Sequence, residues 1–134
     1  MTPHKLEVRF ADIDVMGHVN NAIFLNYFEQ GRMAFFREHF GNVWDWKKYG
    51  IIVARNEIDY LKPVLLHDEL YVTASFGAIG NKSFQMKMRV FKVENGRETD
   101  CAHGLVTVVC FDYELQRTIA VPEAWRNAAE SISS

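Results

Sequence analysis

The segment "AIFLNYFEQGRMAFFREHF", residues 22 to 40, constrains the fold more than any other part of the chain. Ile23, Phe24, Tyr27, Phe28, Ala34, Phe35, Phe36 and Phe40 recur at spacings that suit an α-helix whose apolar face covers a wide arc. Such a helix is poorly suited to an exposed surface, so other elements must wrap around it. Gly31 lowers its intrinsic stability but permits close backbone packing. Gly41, directly after the last aromatic, reads as the C-terminal stop.

The wrapping material flanks the helix. In "HKLEVRFADI", Leu6, Val8 and Phe10 alternate with Lys5, Glu7 and Arg9, the period-two pattern of a half-buried strand. From Ile51 onward the helical rhythm largely gives way to β-branched and aromatic segments: Ile51 to Leu61, Glu69 to Ile79, Ser83 to Val93 and Glu98 to Leu115. In "SFQMKMRV", Phe84, Met86, Met88 and Val90 face one way while Gln85, Lys87 and Arg89 face the other. Asn95-Gly96 predicts a tight hairpin, Gly80-Asn81 a similar turn, and Pro63 with His67-Asp68 a break between strands. "NVWDWKKYG" reads as a short aromatic-rich connection, and Pro122 opens a short C-terminal helix.

Connections this short leave antiparallel pairing. The order strand, long helix, four long strands therefore predicts an α+β fold in which a five-stranded antiparallel sheet curls around a central helix. No repeat, low-complexity stretch or linker interrupts the sequence, and residues 1–134 read as one domain.

Composition narrows the class of function. Seventeen acidic against 15 basic residues, a net charge of -2, do not make the electrostatic footprint of a nucleic-acid binder. No apolar stretch approaches the roughly 20 residues that cross a bilayer, and the start lacks the apolar core of a secretory signal. A cytoplasmic protein with no membrane partner is expected. Cys101 and Cys110 sit in strand-like runs, where reduced buried thiols are the ordinary expectation.

The chemistry-bearing residues concentrate just before the helix, in "DIDVMGHVNNAIF", residues 12 to 24. The first N–H groups of a helix lack internal acceptors and lie at the positive end of its dipole. Asn20 or Asn21 suits the N-cap, and the amides around Asn21 and Ala22 suit an oxyanion if the cap leaves one free. Asp14, several residues upstream, supplies a carboxylate, and Gly17 lets the loop turn back. Together these are the two halves of an acyl-transfer site. Plainer roles stand beside each: Asp14 as a turn former, His18 as a loop residue bonded to a carbonyl, Asp12 solvating the strand edge. Glu29 either orients a water or is a solvated acid, and His67-Asp68 reads as a turn rather than an acid–base pair. No spacing matches a metal motif, and neither metal nor cofactor is expected.

"VRFADIDVMGHVNNAIFLNYFEQGR" resembles the opening of the hotdog-fold acyl thioesterases of the 4-hydroxybenzoyl-CoA thioesterase type, and "EIDYLKPVLLHDEL" resembles their second strand and following turn. The resemblance runs from about Val8 to Tyr113. It implies the same curved five-stranded sheet around a helix, a homodimer joining two sheets edge to edge, often a homotetramer, and hydrolysis of an acyl-CoA thioester to free acid and CoA. The family's catalytic aspartate falls on Asp14, its oxyanion-binding backbone amide on Asn21, and His18 matches a histidine of the plant acyl-carrier-protein branch. The Asn21 position carries an aromatic or histidine in benzoyl-type enzymes, and Met16 stands where the plant branch has an asparagine.

An acyl-CoA thioesterase using Asp14 and Asn21, with His18 at the site, is therefore the leading expectation. The alternatives are a non-catalytic acyl-CoA binding or sensing protein, against which Asp14 argues, and a hotdog dehydratase, for which His18 is the sole candidate near the helix start. Arg32, Arg37, Arg55, Lys62, Lys82 and Arg89 are candidate contacts for CoA phosphates. Trp44, Trp46 and Tyr49 either wall an acyl pocket or simply pack.

Overall fold

The computed structural model describes residues 2–133. Its elements, in chain order, are β1 (His4–Leu6), a 3-10 turn (Phe10–Asp12), α1 (Ile23–Phe40), β2 (Gly50–Tyr60), β3 (Glu69–Ile79), β4 (Ser83–Glu94), β5 (Arg97–Asp112), β6 (Arg117–Thr118) and α2 (Glu123–Ser133). The strands form one antiparallel sheet in the order β1-β3-β4-β5-β2, and β6 pairs with β5. The expected helix-and-sheet architecture is present, with six strands rather than five. The sixth spans two residues in a polar run, too short to carry a period-two pattern.

Two differences occur before the helix. The first strand stops at Leu6, and the chain turns through Phe10–Asp12, leaving Phe10 84% exposed. Asp12, expected at a solvated edge, is instead 1% exposed. The alternating pattern breaks because the Asp12 carboxylate folds back to accept from the Arg9 backbone N–H at 3.0 Å and from the Arg9 guanidinium, closing the turn on itself.

The hairpins follow the turn residues. Asn95 and Gly96 adopt φ of 52° and 74°, the left-handed pair that an Asn-Gly hairpin requires. Phe84, Met86, Met88 and Val90 all face the core from β4. Between Val90 and Phe91 the register with β5 slips by one residue, and Phe91 is buried outside the main core, stacked on Tyr71 with the Arg89 guanidinium 4.2 Å from its ring centroid.

Helix α1 packs mainly on β3, with further contacts to β1 and β4. It comes close to β3 at Gly31, where an added Cβ would lie 2.7 Å from a Val72 methyl. Phe28, fully buried, fills the space that Gly104 of β5 leaves open. Beyond α1, Trp125 of α2 is fully buried against Phe36, Phe40, Trp44 and Trp46 and seals one end of the core. The aromatic connection thus packs, and neither Trp44, Trp46 nor Tyr49 lines the cleft described below. Both cysteines are buried and unpaired.

Candidate active site

The segment before α1 is a tight excursion held at its base. Ile13 and Val19 form an isolated bridge, and the Asp14 N–H donates to the His18 carbonyl at 2.8 Å. The Asp14 carboxylate folds over this turn, its Oδ1 accepting from the Met16 N–H at 2.9 Å and the His18 N–H at 3.4 Å. Asp14 is thus a turn former. Both hydrogen bonds fall on one oxygen; among the described residues Oδ2 has no partner, so it is free to reach a ligand.

The start of the helix is arranged around one spare donor. The Asn20 side-chain oxygen accepts from the Ala22 N–H at 3.0 Å, the Asn20 carbonyl accepts from Ile23, and the Asn21 carbonyl accepts from Phe24. Asn20 is therefore the capping residue, ahead of the regular helix. Its own N–H donates to the Asp12 carbonyl at 2.9 Å, which ties the cap to the 3-10 turn. Among the described residues the Asn21 N–H has no acceptor. It is an orphan donor at the positive end of an 18-residue helix.

Asp14, His18 and Asn21 line one cleft of about 280 Å³, together with Phe24 of α1 and Tyr60, Lys62 and Val64 from the end of β2 and the loop after it. The structure thus brings all three predicted residues together. The second wall is held to the first by the Val19 N–H, which donates to the Val64 carbonyl at 2.8 Å. Sequence reasoning misses Tyr60 and Val64 because a strand end about 40 residues away leaves no spacing signal. Of the basic candidates, Lys62 lines this cleft and Arg37 lines a larger groove beside α1.

That groove, about 580 Å³, is also lined by Arg9, Asp12, Tyr27 and Glu29. Glu29 is exposed, the solvated acid of the two alternatives. At its floor the Tyr27 hydroxyl donates to Asp12 Oδ2 at 2.8 Å. Burial pushes the Asp12 pKa up, but the Arg9 backbone N–H, the Tyr27 hydroxyl and the Arg9 guanidinium outweigh it, so the carboxyl lies below its ordinary value. Burial first, then the same hydrogen bond, raises the Tyr27 phenol. This ionised Asp12 is structural: it anchors the chain entering the site to the helix leaving it. His67-Asp68 forms a turn, with Asp68 Oδ2 accepting from the Leu65 N–H at 2.7 Å. Among the described residues no group of three or more His, Cys, Asp or Glu is placed to hold a metal ion.

An acid with one free oxygen beside an unpaired helix amide is an arrangement for attack on a carbonyl. Comparison with known proteins gives the family. The family model of the thioesterase-like superfamily matches residues 8–129. The chain is 36% identical to a thioesterase from Thermus thermophilus whose crystal structure holds coenzyme A and zinc, covering 96% of this chain and 91% of that one at a TM-score of 0.80. It is 26% identical to the long-chain acyl-CoA thioesterase FadM of Escherichia coli, covering 96% of each. A 4-hydroxybenzoyl-CoA thioesterase in complex with 4-hydroxybenzoyl-CoA shares the fold at a TM-score of 0.84, with 14% identity over 96% of this chain and 97% of that one. A helix wrapped in an antiparallel sheet, and a family match spanning nearly the whole sequence, place this chain in the thioesterase-like superfamily as a thioester hydrolase of the hotdog fold.

Proposed function

We propose that this thioesterase hydrolyses acyl-CoA thioesters, with Asp14 as the group that initiates attack and the Asn21 N–H as the donor that stabilises the oxyanion. The observation that carries this reading is the cleft shared by the two, with one Asp14 oxygen and the Asn21 amide both unpaired among the described residues. In one route Asp14 Oδ2 adds to the thioester carbon, CoA leaves as thiolate, and water then cleaves the acyl-aspartyl anhydride. In the other, Asp14 takes a proton from a water that adds to the same carbon. In both, negative charge develops on the carbonyl oxygen, where the Asn21 N–H and the helix dipole act. The thiolate is a good leaving group, so a strong general acid is less necessary than for an amide.

His18, on the cleft wall, is proposed as a polar contact to the substrate, and Lys62 as a contact for CoA phosphate. The names of the relatives that hold CoA or act on long-chain acyl-CoA support this choice of substrate. The residues act within one domain spanning 1–134. A homodimer is proposed through β2, an 11-residue strand that pairs with β5 on one side and, among the described residues, takes no other strand on the second, with a homotetramer formed from two such pairs. Among the described residues no helix is long and apolar enough to cross a membrane, and a cytoplasmic location is proposed.

The Asp14→Asn variant tests the mechanism. It keeps the volume and the Asx turn, so the protein should fold with an unchanged melting temperature while kcat falls roughly 10²- to 10⁴-fold, the usual contribution of a positioned acid–base group. Unchanged turnover across acyl-CoAs of varied length and aromaticity would eliminate Asp14. Tight acyl-CoA binding by the wild type with no turnover would favour a sensing protein instead.

A further inference from the structure

Tyr60 is the last residue of β2, where it pairs with Ala102 of β5, so its backbone is fixed by the sheet. Its ring meets Phe24, buried in the first turn of α1, edge-on at 5.3 Å between centroids and 85° between planes. Its hydroxyl donates to the Asn21 carbonyl at 2.9 Å, across 39 residues of sequence. The helix's own bond to that carbonyl, from the Phe24 N–H, is longer at 3.3 Å. The Asn21 carbonyl is thus held more closely by a phenol from the sheet than by the helix itself.

We infer that Tyr60 is a positioning residue for the oxyanion donor, an inference that rests on the reading of Asn21 given above. Asn21 is pinned on both sides. Before it, the Asn20 N–H is bound to the Asp12 carbonyl; after it, its own carbonyl is bound to Tyr60. The Asn21 N–H shares a peptide plane with the Asn20 carbonyl, which accepts from the Ile23 N–H at 2.9 Å, so that plane resists flipping, while the Asp12 carbonyl and the Tyr60 hydroxyl hold the planes on either side and fix where it sits. An oxyanion donor acts through being aimed before the charge appears, and a small displacement has a large effect on rate. Tyr60 also lies on the cleft wall, so direct substrate contact is the rival role that the experiment must separate.

The test is Tyr60→Phe, which keeps the ring and its contact with Phe24 and deletes only the hydroxyl. Steady-state kinetics on a good acyl-CoA substrate and the ¹⁵N–¹H resonance of Asn21 are measured together. The expected result is a roughly ten-fold lower kcat, KM within two-fold, an unchanged melting temperature, and a displaced Asn21 amide resonance. A raised KM with unchanged kcat overturns the inference and makes Tyr60 a substrate contact. An unchanged kcat with a displaced amide also overturns it, and then the fault lies in the role given to Asn21. An unchanged amide shows that the tether itself is not functional. Should the wild type hydrolyse no thioester at all, the functional reading falls first and this one with it.

Discussion

Replacing Gly31 by alanine sets two effects of opposite sign against each other. A glycine in mid-helix costs roughly 0.5–1 kcal/mol relative to alanine, so helix propensity alone makes Gly31→Ala stabilising. The packing argues the reverse. A Cβ at this position would lie 2.7 Å from Val72 Cγ2, and 3.1 Å from both Val72 Cγ1 and Met88 Cε. Val72 is 1% exposed and its strand is paired on both sides, His4 in register with it on β1 and Val90 on β4. It cannot retreat, so α1 must lift from the sheet or the valine must leave its rotamer. Overpacking of this kind costs about 1–3 kcal/mol. At the middle of both ranges the clash wins by about 1 kcal/mol, which for a chain of this size lowers the melting temperature by roughly 3–5 °C. Calorimetry on the wild type, Gly31→Ala, Val72→Ala and the double variant measures it. In the Val72→Ala background the penalty should shrink to nothing or change sign, because both valine methyls are gone and the remaining neighbour, Met88 Cε, ends a flexible side chain. A Gly31→Ala protein as stable as the wild type, or an equal loss with and without Val72, would refute the close approach as the reason for this glycine.

Other outcomes follow from the same structure. Tyr27→Phe removes a buried hydroxyl that donates to an ionised carboxylate, and urea unfolding should show a loss of about 1.5–3 kcal/mol. The folded-state pKa of Asp12 lies below its unfolded value, so the unfolded chain binds the proton more readily. The stability from Asp12 is therefore present in full above the ordinary carboxylate range and is lost as pH falls below about 4. Urea midpoints measured from about pH 6 to about pH 2 should decline less steeply in Asp12→Asn, from a lower plateau; parallel curves would show that Asp12 does not contribute to the acid limb. Burial pushes the Cys101 thiol up to about 11 and the Cys110 thiol up to about 12. Neither should react with a thiol reagent at about pH 8 in the folded protein, and both should react once it is unfolded.

Much of this molecule is written in local pattern. The wide apolar face of residues 22 to 40 and the alternation of Phe84, Met86, Met88 and Val90 determine the central helix and the core face of β4, because side-chain direction repeats with the backbone's own period. Asn95-Gly96 determines its hairpin because few other pairs tolerate left-handed backbone at both positions. Asp14, His18 and Asn21 are likewise legible, since a turn and a helix start bring neighbours in sequence together without help from the rest of the fold. Tertiary structure decided the rest. Asp12 became a buried anchor because Tyr27, 15 residues further along the chain, supplies a donor that no periodicity announces. Tyr60 came to hold Asn21 because the sheet returns β2 to the helix start. A contact between distant residues depends on where two elements meet, and that is set by the packing of the whole core.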